Sequence, residues 1–352
     1  MEQKKLFYPV FLFIVGYHLL LAIALPIYFL NHTPTITLLI TTLSLVFISG
    51  IAVTTGYHRL YSHNCFKIHP IPEAILLFFS SLATQGSALR WAHDHRLHHA
   101  HIDTDQDPYS VTKGMWHAHV LWMFYKSKDI DPKVISDLSR KKMLRFQHKY
   151  YVLCMLGSNL ITSLVAGYLL NDYLGAFLFV WVVRLFFLHH TTWCINSLAH
   201  YWGSQNYSQE HTAVDNYLIS LLTYGEGYHN YHHTFAYDYR NGIRWYHFDP
   251  TKWLIWTLYK LGLARDLKTV NNYRIARHLV LQHKDELLQK IKESATAQRV
   301  TEIAENLSTK LSQMQTMLDP SQIRDLKKSL KQDWREWKRV IRAIHKNSPQ
   351  IA

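Results

Sequence analysis

Four short clusters of histidine contain the side chains in this sequence that are best suited to bind metal ions. Imidazole is the commonest protein ligand for zinc, copper and iron, and the chain has 24 histidines among its 352 residues. The clusters are HRLYSH at residues 58–63, HRLHH at 95–99, NSLAH at 196–200 and HNYHH at 229–233. Residues i, i+3 and i+4 of a helix share one face. The spacing therefore predicts that the histidines within each triple converge on one point.

The number of histidines constrains the kind of metal site. Zinc usually takes four ligands, whereas the clusters supply nine histidines, which suits two ions of higher coordination number sharing one site. Iron is the natural candidate if the site activates O2. His58 and His63 lie about 140° apart around an α-helix, so this pair is expected to straddle a helix end or to reach different metals. The amide of Asn196 is a poor direct ligand, and we expect it to hold a metal-bound water.

Apolar segments long enough to span a membrane precede and connect the clusters. A bilayer requires about 20 apolar residues per helix, and four segments reach that length: Leu6–Leu30, Thr35–Gly56, Tyr151–Leu170 and Leu174–Asn196. Ala74–Leu89 is shorter and is expected to form a re-entrant or interfacial helix. Lysine and arginine are abundant between residues 59 and 149 but absent from the two short turns that join the spans. This bias predicts that both termini and all four clusters lie on the cytosolic side.

These elements predict an all-α integral membrane protein in which four transmembrane helices carry a cytosolic helical cap. Residues 1–265 would form the membrane and cap domain, and the charged, helix-forming residues 266–352 would form a C-terminal appendage. The net charge of +13 suits an anionic membrane surface or a phosphate-bearing substrate, and no nucleic-acid motif is present in the sequence. The three cysteines lack the number and spacing of a disulfide framework, a zinc knuckle or an iron–sulfur site.

Taken together, the four clusters resemble those of the membrane fatty-acid desaturases, specifically the Δ9 acyl desaturase branch that includes the stearoyl-CoA desaturases. The flanking residues are similar too, with GEGYHNYHHTF at 225–235 and Asp107-Pro108 after the second cluster. The resemblance covers residues 6–265 and implies a cytosolic site with two iron ions (Fe2+). It implies a water held by Asn196 and nine histidine ligands, namely His58, His63, His95, His98, His99, His200, His229, His232 and His233.

The resemblance also implies a fatty-acyl substrate, O2 and an electron donor. Position 93 is histidine, where animal acyl-CoA enzymes have an arginine near the CoA phosphates. Acyl-CoA, acyl-carrier protein and acyl lipid therefore all stay open as substrates. The haem-binding sequence of a fused cytochrome b5 is absent, so a separate donor such as a cytochrome b5 or a ferredoxin is expected. A bacterial inner membrane and an endoplasmic reticulum membrane both fit.

Residues beside the clusters are candidates for supporting roles. The acids that could orient ligand rings, or could instead serve as helix caps and surface ion pairs, are Asp94, Asp103, Asp107 and Glu226. The candidates for substrate contact are Trp91, His93 and Trp193, although tryptophan is also common at membrane interfaces. The cations that could meet a phosphate group or the anionic leaflet are Arg59, Arg90 and Arg96.

We therefore predict an O2-dependent enzyme that introduces a cis double bond, at the Δ9 position, into a saturated fatty-acyl chain. The alternative within the same chemistry is a fatty-acyl hydroxylase or a related di-iron oxygenase, because similar clusters serve such enzymes. A third hypothesis is a membrane protein that binds metal without catalysis. A transporter of that kind would place its ligands near the bilayer midplane, whereas these clusters are predicted to lie at one membrane face.

Overall fold

The computed structural model describes residues 5–317 and 319–347, and it divides the chain into two compact units, Met1–Lys268 and Thr269–Ala352. The predicted C-terminal appendage includes residues 318 and 348–352, which lie outside the described residues. The first unit contains all four histidine clusters.

Four helical stretches of the first unit are long and apolar enough to cross a membrane, as the sequence predicts. The first is helix α1 (Tyr8–Asn31), and the second is helix α2 (Ile36–Ala52) with a π-helical continuation, Val53–Ser62. The third is helix α7 (Tyr151–Leu170). The fourth joins helix α8 (Tyr173–Gly175), a π-helical stretch (Ala176–Val183), helix α9 (Arg184–Asn196) and a 3-10 turn (Leu198–His200).

The surfaces of these helices have the polarity expected of a protein surrounded by lipid. Large apolar side chains point outward, and Leu30 and Ile36 are 83% and 76% exposed. Small polar side chains such as Thr42 and Ser49 are buried between helices, where small residues allow close helix packing. The Thr42 hydroxyl donates to the main-chain oxygen of Leu38 at 2.8 Å, so its burial leaves no unsatisfied donor.

One charged side chain lies within the fourth span, and it faces protein as expected. Arg184 is fully buried. Its guanidinium donates to the main-chain oxygens of Val180 and Leu82 at 2.8 and 3.1 Å, and also to the side-chain oxygen of Asn159. Several acceptors thus compensate a charge that would be costly in lipid.

Shorter elements form the cap. They are helices α3 (Pro70–Leu82), α4 (Ala88–His101), α5 (Met115–His119), α6 (Lys142–Lys149), α10 (Tyr217–Leu222), α11 (His229–Thr234) and α12 (Pro250–Lys260), with 3-10 turns at Val111–Lys113 and Leu121–Phe124. The expected single helix over Ala74–Leu89 is wrong, because α3 ends at Leu82 and α4 begins at Ala88. The cause lies in the connection, where Thr84 and Gly86 adopt positive φ angles of 53° and 88°, which a right-handed helix excludes.

A two-stranded ribbon fixes the end of the first unit beside the first histidine cluster. Strand β1 (Lys67–Ile68) pairs antiparallel with strand β2 (Ala264–Arg265). Just beyond β2, the amide of Lys268 donates to the main-chain oxygen of Cys65 at 2.8 Å. The last residue of this unit therefore lies beside the segment that follows His63.

The second unit consists of helices α13 (Asn272–Lys290), α14 (Ser294–Thr316) and α15 (Pro320–Asn347). Apolar side chains along one side of α14 are buried, including Leu307 and Leu311. Trp337 of α15 is 1% exposed and belongs to the same core. This unit therefore has its own small hydrophobic core.

Candidate metal centre

The first cluster begins in the π-helical end of the second span. The amide of His63 donates to the main-chain oxygen of His58 at 3.2 Å, which is the i→i+5 hydrogen bond of a π-helix. This wider turn brings residues five apart to nearly the same face, and the two imidazole rings lie 4.8 Å apart between centroids. The pair therefore straddles the end of the helix, which is one of the two arrangements expected from the sequence. Both rings belong to the same group of candidate metal ligands.

The nine clustered histidines form two groups that could each hold a metal ion. Within each group the candidate ligand atoms all lie within 4.8 Å of one another. The five-histidine group comprises His58, His63, His95, His99 and His232, and the four-histidine group comprises His98, His200, His229 and His233. The groups adjoin, because the ring of His99 stacks on that of His233 at 4.1 Å between centroids.

The prediction that each triple converges on one point is wrong. In α4, His95 and His99 enter the five-histidine group while His98 enters the other, and α11 shows the reverse arrangement with His232 as the exception. The reason is helical geometry. Residues i and i+4 differ by about 40° in direction, whereas residue i+3 lies about 100° from residue i+4. Each helix therefore contributes to both groups.

Hydrogen bonds to the outer nitrogen Nδ1 orient several of the rings. The Nδ1 atoms of His58 and His98 lie 3.0 Å from carboxylate oxygens of Glu226 and Asp107, respectively. A carboxylate can only accept, so these Nδ1 atoms carry the proton and each Nε2 lone pair is free. The Nδ1 of His95 lies 3.2 Å from the hydroxyl of Tyr109.

The remaining predicted acids differ in their contacts. Asp103 accepts from the hydroxyl of Thr212 at 2.7 Å, and that hydroxyl lies 2.9 Å from Nδ1 of His200. Asp103 therefore supports a clustered ring through an intermediary. Asp94 lies on Nδ1 of His93 at 2.8 Å instead, away from the nine clustered rings.

The inner nitrogens have the spacing that a metal ion requires. The Nε2 atoms of His63 and His95 are 2.8 Å apart, and that of His232 lies 3.0 Å from those of both His58 and His99. A metal–nitrogen bond of about 2.1 Å with adjacent ligands at right angles gives a nitrogen separation of about 3.0 Å. Hydrogen bonding alone does not account for this cluster. The Nε2 of His58 carries no proton, and the single N–H of His232 could not donate well to both His58 and His99.

The four-histidine group also suits a metal ion, as two of its buried ring nitrogens indicate. The Nε2 atoms of His98 and His200 are buried and have no hydrogen-bond partner within residues 5–317 and 319–347. Buried polar atoms without partners are costly, and two aromatic nitrogens at one point are the donor set that a transition metal prefers. The Nε2 atoms of His229 and His233, 3.1 Å apart, complete the group.

Burial favours the neutral form of several clustered imidazoles. Desolvation, followed by repulsion from neighbouring imidazoles, holds the pKa values of His95, His99 and His232 well below their usual range. The same causes lower the pKa of His229 to about 3. Metal binding requires the neutral ring, so the site is set for it at ordinary pH.

An ion cluster fixes the carboxylate that holds His58. Burial by itself would raise the pKa of Glu226, but attraction to His58 and Arg59 lowers it to about 2. Arg59 is fully buried and also contacts Asp249 at 2.9 Å. The expectation that Arg59 meets a phosphate or the lipid surface is therefore wrong, because its charge is used inside the protein.

The other two arginines are also engaged by protein groups. Arg96 forms bonds of 2.7 and 2.9 Å to both carboxylate oxygens of Asp137. Arg90 donates to the main-chain oxygen of Lys128 at 2.6 Å and contacts Asp94 at 3.2 Å.

The predicted substrate-contact residues lie in three different surroundings. Trp91 stacks on His95 at 4.9 Å between centroids, so it borders the five-histidine group. His93 is buried, and its Nε2 accepts from the amide of Asp131 at 3.1 Å. Trp193 is buried against the ring of His189 at 5.0 Å.

The predicted water holder lies four residues before His200 in the chain, and one unexpected histidine lies beside the four-histidine group. Asn196 is the last residue of α9, half-buried, and its side chain makes no hydrogen bond to a described residue. His211 lies 5.4 Å from the ring of His233, and both of its ring nitrogens are buried without a partner among the described residues. Sequence reasoning missed His211, Tyr109 and Thr212, since tertiary contacts leave no spacing signal.

A separate set of histidines forms a linear hydrogen-bonded arrangement, here named the histidine chain: His18, His190 and His119. Nε2 of His18 lies 3.1 Å from Nε2 of His190, whose Nδ1 lies 3.1 Å from Nε2 of His119. The ends contact the main-chain oxygen of Ile14 at 2.7 Å and the hydroxyl of Ser197 at 2.9 Å. None of these rings belongs to either metal-binding group.

Comparison with known proteins gives consistent matches over the first unit. A family profile described as fatty acid desaturase matches residues 33–267. Acyl-CoA desaturase 1 of Saccharomyces cerevisiae is 40% identical over 249 residues, which cover 69% of this chain and 48% of that protein. A probable acyl-CoA desaturase of Schizosaccharomyces pombe is 42% identical over 66% of this chain and 50% of its own length. The chain thus spans about half the length of these two relatives.

A shorter relative is matched more completely. An sn-2 palmitoyl-lipid 9-desaturase of Nostoc is 36% identical over 222 residues, which cover 61% of this chain and 76% of that protein. The names of these similar proteins include both acyl-CoA and acyl-lipid enzymes.

Proposed function

The chain belongs to the fatty acid desaturase family, and on that basis we propose that it is an O2-dependent desaturase that introduces a cis double bond at the Δ9 position of a saturated fatty-acyl chain. The observation that carries the proposal is the convergence of nine imidazoles into two adjoining groups at the spacing of metal ligands. The names of its relatives support the acyl substrate and the position of the double bond.

Two iron ions are the metals that this proposal requires. The five-histidine group would hold one, and the four-histidine group would hold the other together with a water positioned by Asn196. When bound, the irons would supply the O2 activation needed to remove hydrogen from unactivated C–H bonds. The chain's own part is to hold neutral imidazoles in place through Glu226, Asp107 and Thr212.

The names of the similar proteins support a substrate that is an acyl thioester or an acyl lipid. Trp91, stacked on His95, is the side chain best placed to contact the acyl chain. His93 is buried between Asp94 and Asp131, so it does not replace an arginine that would meet CoA phosphates.

The protein is a membrane protein with four apolar spans. We assign the histidine groups and both termini to the cytosolic face, because the positive charges of the connecting segment lie on that side of the spans. Electrons would come from a separate carrier, such as a cytochrome b5 or a ferredoxin. The bacterial inner membrane and the endoplasmic reticulum membrane both satisfy this arrangement.

Expression in a desaturase-deficient host tests the proposal. The wild-type chain should produce new cis monounsaturated fatty acids, and fragmentation of their derivatives should locate the double bond at Δ9. A variant carrying His98→Ala and His232→Ala should produce none, because each group loses one ligand. The matched control is His283→Ala, which removes an exposed histidine of the second unit and should leave the profile unchanged. Hydroxylated chains, or an unchanged profile from iron-loaded protein with a supplied donor, would contradict the proposal.

A further inference from the structure

Helix α15 presents a continuous row of positive charges to solvent. The residues of this row, here named the basic face, are Arg324, Lys327, Lys328, Lys331, Arg335, Lys338, Arg339 and Arg342, and all of them are exposed. Their spacings of three and four residues place them along one side of the helix. With a rise of 1.5 Å per residue, the row is about 27 Å long.

The other sides of α15 are already occupied within the second unit. Leu330 and Trp337 are buried in the core. The acids Asp333 and Glu336 pair with cations of α14, at 2.6 Å from Lys310 and 2.7 Å from Arg299. Among the described residues, no ion pair engages a member of the basic face. Its charges repel one another and contribute nothing to the core, so the fold of this unit does not explain them.

The surface of the second unit favours a polar, acidic partner over insertion into a bilayer. Helices that lie in a membrane interface bury tryptophan, phenylalanine or leucine in the lipid. Among the described residues beyond Leu261, no large hydrophobic side chain is exposed. The basic face therefore offers charge alone, which is typical of surfaces that attract a complementary charged protein.

The second unit follows directly from the segment beside the first histidine cluster. The unit begins at Thr269, directly after Lys268, whose amide is bonded to the main-chain oxygen of Cys65. Cys65 follows His63 of the five-histidine group by two residues. A protein held by the basic face is thus tethered to the segment that carries a candidate ligand.

The proposed reaction requires such a partner. Removing two hydrogen atoms from the chain supplies two of the four electrons that reduce O2 to two waters, and the other two electrons and two protons must come from outside. We propose that the basic face of α15 binds the acidic surface of a small electron-carrier protein that reduces the metal site. This inference rests on the proposed function and names the docking surface of the donor.

The test compares two charge reversals in the full-length protein held in nanodiscs of zwitterionic lipid. Lys331→Glu with Arg335→Glu removes the centre of the basic face. Lys290→Glu with Lys292→Glu makes the same change of charge at exposed positions of the same unit that lie off this face. The probes are an acidic cytochrome b5 haem domain and an acidic ferredoxin, each tested for binding and for donor-driven desaturation.

The first variant should raise the dissociation constant and the KM for the carrier about tenfold at low salt, and the difference should vanish at high salt. The control variant should behave as wild type, and turnover driven by a chemical reductant should be equal in all three proteins. Equal carrier binding by the two variants would overturn the proposal. A defect of the first variant confined to nanodiscs with anionic lipid would also overturn it, because the surface would then bind membrane.

Carrier binding is measured without turnover, so it separates this inference from the proposed function. If the wild-type protein shows no desaturation with the chemical reductant, the proposed enzyme activity is wrong. If the wild-type protein does not bind the carrier, only the proposed docking surface is wrong.

Discussion

Two sets of histidines lie in the same unit, yet they differ in how their ring nitrogens are used. In the metal-binding groups the Nε2 atoms converge, while outer partners hold Nδ1 of several rings, as Asp107 does for His98. In the histidine chain each ring uses both nitrogens: His190 contacts His18 through Nε2 and His119 through Nδ1. Convergence leaves lone pairs free for a metal, whereas in the linear arrangement every ring nitrogen already contacts a partner.

The proton positions of the histidine chain follow from its ends. The main-chain oxygen of Ile14 can only accept, so Nδ1 of His18 must donate to it and Nε2 must accept from His190. At the other end, the hydroxyl of Ser197 donates to the main-chain oxygen of Trp193 at 3.0 Å, so it can only accept from Nδ1 of His119. Both ends of the histidine chain are therefore acceptors. Histidine content alone does not distinguish the two arrangements, and the outer partner of each ring decides.

Removing the metal should have the largest effect and should separate the two sets most clearly. Metal-free protein retains several buried imidazoles with lowered pKa values, including His95 and His232. An imidazole of the unfolded chain has a pKa of about 6.5, whereas these rings of the folded chain bind protons only at a much lower pH. The free energy of unfolding should therefore be greatest above pH 6.5. It should fall as the pH drops below that value, by about 1.4 kcal/mol per pH unit for each such group. Thermal melting of chelated protein at pH 7.5 and 5.5 measures this loss.

The iron-loaded protein is the control for that measurement. Metal binds the neutral rings that the folded protein already presents at both pH values, so it should raise the melting temperature at pH 7.5 and at pH 5.5. Equal melting temperatures with and without metal would indicate that the clustered rings do not bind the ion.

Substitution of single rings should then divide the histidines into two classes. His232→Ala removes an Nε2 that lies 3.0 Å from two others, and it should weaken metal binding by more than about 100-fold, the upper figure for losing only an outer partner. His190→Ala should bind metal as the wild type does, since its ring faces neither group. Metal content after dialysis against a graded chelator distinguishes them. Loss of metal from His190→Ala would remove the distinction between the two sets.

The outer carboxylates allow a matched comparison of smaller size. Asp107→Asn should weaken metal binding by about 10- to 100-fold, because an amide no longer fixes the proton on Nδ1 of His98. Asp94→Asn is the same chemical change on an acid that contacts His93 and Arg90, and it should leave metal affinity unchanged. Chelator competition at constant pH gives both values. A similar loss in the two variants would mean that general electrostatics, and not ring orientation, controls the site.

Local spacing predicted much of this arrangement because it reflects helix geometry within a few residues. The four spans and the burial of Arg184 follow from apolar length and from the cost of a charge in lipid. The clustering of nine histidines follows from their spacing, although the division of each triple between two groups required the relative placement of α4 and α11.

Other features depended on contacts between distant segments and could not be read from local patterns. Thr212 reaches His200 and Asp103 across the cap, and a threonine in a loop carries no signal of such a role. The buried pairing of Arg59 with Glu226 joins residues 167 positions apart. The π-helical turn at His58 was missed because ordinary helical periodicity assumes i→i+4 bonding.

The smallest expected effect concerns the histidine chain itself. His119→Phe keeps an aromatic ring but leaves Nδ1 of His190 without its partner. An unsatisfied buried polar group costs about 1–3 kcal/mol, and the ring of His190 is half-buried, so the free energy of unfolding should fall by about 1 kcal/mol. Metal content should not change, because His119 lies outside both groups.

A double variant tests whether the chain acts as one unit. Once His119 is replaced, His190→Phe removes the nitrogen that was left unpaired. The double variant should therefore lose less unfolding free energy than the two single variants lose in total. Denaturant unfolding in detergent, with metal content measured on the same samples, gives both quantities. Additive losses would show that the rings pack independently, and concurrent loss of metal would show that the histidine chain supports the metal site after all.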